Sequence, residues 1–152
     1  MTARAAVALA VLLPLAIGAP LWEQLRYYDR HRVREAVTTV PPGGSGVLDH
    51  ASWRLLSLGR TATGVRVRLA KTPLDQDGVS NLEVVVDVRD RSGRRWMLRQ
   101  DLSGAFSRPG HAETMTLRGD VPADVADQVE PEVRHSPLKP EPRPVPVLRF
   151  RR

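Results

Sequence analysis

Cysteine is absent from this chain, which excludes disulfides, thiolate nucleophiles and thiolate metal sites together. Stability must then come from packing, hydrogen bonds and charge. Lysine is nearly absent as well, with arginine outnumbering it 21 to 2. With Ala, Val, Asp and Pro plentiful, that bias reads as high-GC coding rather than as function. No Gly-rich phosphate loop precedes a helical pattern. Ser45, in Gly43-Gly44-Ser45-Gly46, lacks both the G-x-S-x-G spacing and the strand-turn-helix setting of a nucleophile elbow.

What is present in abundance is one apolar run. Ala5 to Trp22, AAVALAVLLPLAIGAPLW, holds eighteen uncharged residues with no polar face, so it is unsuited to the surface of a soluble fold. As a helix it reaches about 27 Å, close to the roughly 30 Å hydrocarbon core. Trp22, Tyr27 and Tyr28 follow where aromatic rings favour the membrane boundary. The expectation is a retained single-pass anchor over 1–22, dissolved in lipid through residues 5–22. The alternative is a signal peptide cut after Gly18 and a secreted protein. Arg26, Arg30, Arg32 and Arg34 follow the span against Arg4 before it, a count that favours a cytoplasmic C-terminal domain. A very short leader ahead of a β-domain is instead how exported, anchored proteins are built, and the expectation is an extracytoplasmic domain.

The net charge of +6 sits at the two ends. Residues 1–34 carry five arginines against two acids, residues 35–138 carry 13 basic and 14 acidic groups, and residues 139–152 carry five basic and one acidic. A nearly neutral body argues against nucleic acid as the partner and for contact with anionic lipid or an anionic envelope polymer.

After the anchor, 23–46 reads as a polar stem and linker, with a short edge strand admissible from Val37 ahead of the Pro41-Pro42-Gly43-Gly44 break. From 47 to 150 short β patterns follow one another. Ala51–Leu58 puts Trp53 and Leu55 on one face. Val65, Val67 and Leu69 alternate with Arg66 and Arg68. Leu82, Val84, Val86 and Val88 oppose Glu83, Val85 and Asp87. Asp90-Arg91-Ser92-Gly93 is a hairpin turn, with Trp96 and Leu98 on the returning strand and Met115 and Leu117 on the next. The acids Asp120, Asp124, Asp127, Glu130 and Glu132 read as a solvated connection. The five prolines of 135–146 force an extended crossing that is kept out of sheet interiors, and Val147–Phe150 closes the chain as an edge strand. About seven strands at this spacing predict a mainly β, antiparallel two-sheet sandwich.

The order LWEQLRYYDRHR, GVLDHASWRL, LEVVVDVRDRSGRRW, ETMTLRGDVPADV and PVLRF resembles small membrane-anchored proteins of high-GC Gram-positive bacteria (actinobacteria) that carry an extracytoplasmic immunoglobulin-like domain. The resemblance implies that fold and that location, and no catalytic residues. Chemistry-bearing motifs are weak throughout. Histidines 31, 50, 111 and 135 have no partner at ligand spacing. Aligning Asp75, Asp77 and Gly78 with positions three, five and six of a calcium loop places Val84 where the bidentate Glu belongs, so an Asp-Gly turn is the better reading. Neither a cofactor nor a metal is expected, and no enzymatic activity. The expected function is a non-enzymatic binding or scaffolding module at the cell envelope, contacting an envelope protein or anionic polymer. Arg94 and Arg95 beside Trp96, and Pro140, Pro142 and Pro144 of the proline arm, are the candidate contact residues. The alternatives are an accessory of an envelope enzyme with a ligand pocket, and a cytoplasm-facing regulator; the oligomeric state is left open.

Overall fold

The structure is a computed structural model, and it describes residues 34–80, 84–101, 108–136 and 144–152. The expected span at 5–22, the stem as far as residue 33, and Pro140 and Pro142 lie outside the described residues, among which no helix is long and apolar enough to cross a membrane. The chain divides into Met1–Val33 and Arg34–Arg152. The second unit is mainly β.

Its described strands form two five-stranded sheets. The first runs β1 (Glu35–Val40), β10 (Val145–Phe150), β9 (Glu130–His135), β5 (Val84–Arg89), β6 (Arg95–Met97). The second runs β2 (Ser45–Leu48), β3 (Ala51–Arg60), β4 (Gly64–Pro73), β8 (Glu113–Asp120), β7 (Arg99–Gln100). Every pairing is antiparallel except that of β1 with β10. A single helical turn, α1 (Gln76–Ser80), follows β4.

The period-2 pattern builds the core. Val65, Val67 and Leu69 of β4, Val86 and Val88 of β5, Val133 of β9 and Leu148 and Phe150 of β10 are all buried in one cluster that both sheets share, with Trp53 among them. Each fully buried side chain of this kind contributes about 1.5–3 kcal/mol. A one-residue slip of β4 would exchange Val67 for Arg66 or Arg68, so the register is firmly specified.

Three features differ from the sequence reading: the extent of the linker, the place of the last strand with its proline, and Glu132. The linker is shorter than 23–46: the short edge strand read from Val37 is β1, Glu35–Val40, rich in β-branched residues, and Ser45–Leu48 is a strand that the reading left in the linker. The last strand is not at an edge: β10 lies between β1 and β9. Pro131 sits in the interior strand β9, opposite Val88 of β5. It is tolerated because the β9–β10 ladder stops at Glu132, one residue short of it. Pro146 of β10 likewise lies beyond the first residue of that ladder, Val147. Finally, Glu132 belongs to no solvated connection; it is wholly buried, whereas Asp120, Asp124 and Asp127 are exposed as expected.

The Asp90–Gly93 turn forms as read. Gly93 N donates to Asp90 O at 3.1 Å, and Gly93 takes a φ of 91°. Burial pushes the Asp90 carboxyl up, but hydrogen bonds from the Ser92 hydroxyl (2.8 Å), the Arg94 amide (2.9 Å) and Arg94 Nε (2.8 Å) outweigh it and hold the group at about 2. A hydrogen bond from Arg95 lowers Glu35 as well, against the opposing effect of burial. A depressed carboxyl stabilises the fold above its unfolded value, near 4, and the stabilisation is lost as pH falls through the folded value. Thermal unfolding followed from pH 6 to pH 2 should therefore show a midpoint that drops mainly below pH 4. Asp90→Asn should lower the neutral-pH midpoint and flatten that drop; an unchanged acid slope would count against the assignment.

Candidate binding groove

β6 and β7 are one run of chain that changes sheet. Leu98 N still donates to Val86 O of the first sheet (3.0 Å), Arg99 already pairs with Arg118 of the second, and Asp101 N donates to Thr116 O (2.9 Å). The crossing opens a cleft of about 720 Å³ between this run, the β3–β4 turn and the end of β8. Thr61, Thr63, Arg66, Trp96, Arg99 and Arg118 are among its walls. A second hollow of about 400 Å³ shares Thr61, Thr63, Trp96 and Asp120 and continues towards Pro122.

Two glycines let the walls approach each other. A Cβ on Gly64 would stand 2.1 Å from Gly119 O, and one on Gly119 would stand 2.5 Å from Leu98 Cδ2. A side chain at Gly64 would force β4 away from the end of β8, and one at Gly119 would displace the Leu98 side chain and crowd Met97 O of the crossing strand.

Trp96 is half-buried, its inner part packed against the core. The Arg94 guanidinium lies 5.5 Å from its ring centroid and is steered there by Asp90 Oδ2, which accepts from Arg94 Nε at 2.8 Å. An exposed cation of this kind contributes about 0.5–1 kcal/mol.

The strand alternation separates the two arginines that the sequence places together. Arg95 reaches the cleft wall, but its guanidinium donates to Glu132 Oε2 (2.9 Å) and Glu35 Oε2 (2.7 Å) on the outer face of the first sheet. Those carboxylates hold its proton more firmly than usual, so it is committed to the protein rather than offered to a ligand. Pro144 is exposed, one residue ahead of β10. Arg66, Arg99 and Arg118 were not singled out from the sequence, since only the register of three strands brings them together. The signal that was available was the outward parity of Arg66.

At the β2–β3 turn, Asp49 and His50 both take positive φ (47° and 59°), the geometry of a two-residue primed turn. His50 O accepts from Leu74 N (2.8 Å), and Gly78 must lack a side chain because its Cβ would lie 2.1 Å from that oxygen. Asp75 Oδ1 accepts from Gly78 N (3.0 Å) and so caps α1, where the sequence reads a plain Asp-Gly turn, while Asp75 Oδ2 meets His50 Nδ1 at 2.7 Å. The first of these contacts, then the second, lowers Asp75, and the hydrogen bond that His50 donates to the Asp75 carboxylate raises His50. With Asp77 they form a group whose donor atoms lie within 4.8 Å of one another, all three residues being exposed. Linear spacing gave no sign of this convergence, because His50 is separated from the acids by two strands.

What converges in the cleft is an indole, guanidiniums, two threonine hydroxyls and the carboxylates of Asp101 and Asp120. The guanidiniums, indole and hydroxyls suit a polar molecule that carries anionic groups, with the Asp101 carboxylate neutralised by Arg118 and that of Asp120 disfavouring an anion beside it. No family model matches the chain, and no curated protein or solved structure is significantly similar to it.

Proposed function

We propose that this chain is a non-enzymatic binding module at the cell envelope, held by residues 5–22 with its β-domain on the outer side, and that it takes its partner in the cleft beside Trp96. The observation that carries the reading is the convergence of a half-exposed tryptophan with arginines and threonines in a cleft whose walls are fixed by a sheet crossover. The immunoglobulin-like reading is supported by strand order. β3-β4-β8-β7 in one sheet and β6-β5-β9-β10 in the other follow the A-B-E-D and C′-C-F-G arrangement of that fold, with β1 added parallel to the last strand. The likeness to anchored actinobacterial envelope proteins belongs to the same proposal.

Trp53 is buried and Trp96 half-exposed, so in a Trp22→Phe background a ligand entering the cleft changes the emission of Trp96 and leaves that of Trp53 constant. Solubilised envelope fragments should quench the full-length protein saturably, and Trp96→Ala should weaken that binding about tenfold, or 1.4 kcal/mol, when measured well below a thermal midpoint that the lost core packing lowers. Fragments that bind Trp96→Ala as well as the parent protein would remove the cleft from the proposal. Protection of the C-terminus from protease on intact cells would reverse the orientation.

A further inference from the structure

The solvent face of the second sheet carries a row that folding does not call for. Arg66 on β4 pairs in register with Arg118 on β8, and Arg118 with Arg99 on β7, so three adjacent strands place arginine side by side. Neighbouring strands lie about 4.8 Å apart, and like charges directly opposite each other destabilise a sheet. The next rows along this face show the neutral solution, Thr116 opposite Arg68 and Thr114 opposite Ala70. Only Arg118 of the three has an anion, Asp101, at 2.8 Å; among the described residues Arg66 and Arg99 form no ion pair. All three arginines also border the cleft that holds Trp96, Met97, Thr61 and Thr63.

We propose that the row Arg66–Arg118–Arg99 is a binding track for a linear polymer of phosphodiester-linked polyol or sugar units, which crosses the strands of the second sheet and enters the cleft against Trp96. The inference rests on the binding-module reading and names its ligand. A guanidinium grips phosphate oxygens through paired N–H groups, and a row at strand spacing calls for anions repeated along one chain rather than a single one. Between phosphates, a polyol or sugar offers C–H faces to Trp96 and Met97 and hydroxyls to Thr61 and Thr63. A bilayer surface would meet the arginines but would not enter the cleft.

The test uses the full-length protein in neutral-lipid nanodiscs titrated with poly(glycerol phosphate), alongside neutral dextran, phosphatidylglycerol vesicles and single-stranded DNA. The phosphodiester polymer is expected to bind tightest, and the logarithm of its affinity to fall with log salt at a slope of about −2, from roughly −0.7 per neutralised phosphate. The double variant Arg66→Gln, Arg118→Gln should lose more than tenfold in affinity and about 1.4 of that slope. Its thermal midpoint should stay within a few degrees of the parent, because relief of the Arg66–Arg118 repulsion offsets the loss of the exposed Arg118–Asp101 pair. Trp96→Ala should weaken binding and leave the slope intact. An unchanged slope in the double variant overturns the track, and DNA or vesicles bound as tightly with the same arginine dependence overturn the ligand class. Dextran bound as well as the charged polymer, in a Trp96-dependent way, would leave the binding module standing and the anionic ligand refuted.

Discussion

Replacing Trp53 by alanine is expected to leave the β-domain largely unfolded at 37 °C. The indole is 2% exposed on the inner face of β3, and its Nε1 donates to Leu48 O at 3.1 Å across the β2–β3 hairpin. Directly opposite on β4 stands Lys71, itself 6% exposed, with its ammonium 5.8 Å from the ring centroid and 3.5 Å from Glu113 Oε1. Truncation therefore does two things. It opens a cavity worth about 3–5 kcal/mol, and it strips the cover from a buried cation. Against a typical total of about 5–15 kcal/mol for a domain, that loss leaves little. Trp53→Phe keeps most of the volume but removes the indole's hydrogen bond to Leu48 O, for about 0.5–1.5 kcal/mol. Urea unfolding should show both variants with a lower midpoint, alanine well below phenylalanine, and an unchanged denaturant slope for the phenylalanine form. A loss under 1 kcal/mol for alanine would mean that the ring does not organise this core.

Trp53 was legible because its neighbours obey the strand period. Val65, Val67 and Leu69, and Val84, Val86 and Val88, could be assigned to the inside by parity alone, and Asp90–Gly93 by turn chemistry. These are local signals, carried by residues within ten positions of one another. Pairing across the sheets is not local. Nothing in PVPVLRF distinguishes an edge strand from one flanked by β1 and β9, since the prolines that argue for an edge are placed just where a ladder has stopped. The change of sheet at Leu98 was equally hidden: the alternation of Trp96 and Leu98 continues unbroken while the hydrogen-bond partner changes from β5 to β8.

The candidate site divided along the same line. Trp96 with a stacked arginine was visible as a run of adjacent residues, although the choice between Arg94 and Arg95 needed the strand's parity. Arg66, Arg99 and Arg118 come from three separate stretches and meet only through register. A chain with 21 arginines gives no single one of them prominence. Buried charge was the least legible feature of all, because an acid between Pro131 and Val133 looks, in a sequence, like any surface acid.

Glu132 is that acid, and Glu132→Gln should be among the most damaging single substitutions outside the apolar core. It lies on the outer face of the first sheet with no exposure, and it accepts from Arg149 Nε (2.7 Å), its register partner on β10, and from Arg95 Nε (2.9 Å). Arg95 in turn reaches Glu35 at 2.7 Å, so residues from the two edge strands, β1 and β6, meet over the middle of the sheet. On the next strand Asp87, 2% exposed and opposite Glu132 in register, is neutralised by Arg134. Removing one partner of a buried ion pair costs about 3–5 kcal/mol. The low end, near 3, applies here because Arg95 and Arg149 keep 28% and 23% of their side-chain surface in water and can turn outward. An amide oxygen would accept from one arginine at neutral strength and leave the other only its second carboxylate, Glu35 for Arg95 (2.7 Å) or Glu130 for Arg149 (4.0 Å). The loss should also be directional. With Arg95 released, the tie to Glu35 weakens, and amide hydrogen exchange along Glu35–Val40 should accelerate more than along β4. Exchanging the whole group, Glu132→Leu with Arg95→Met and Arg149→Leu, should recover much of the stability, as apolar replacement of a buried network does. A Glu132→Gln protein within 0.5 kcal/mol of the parent, with β1 protected as before, would show that the arginines cover this face by packing alone.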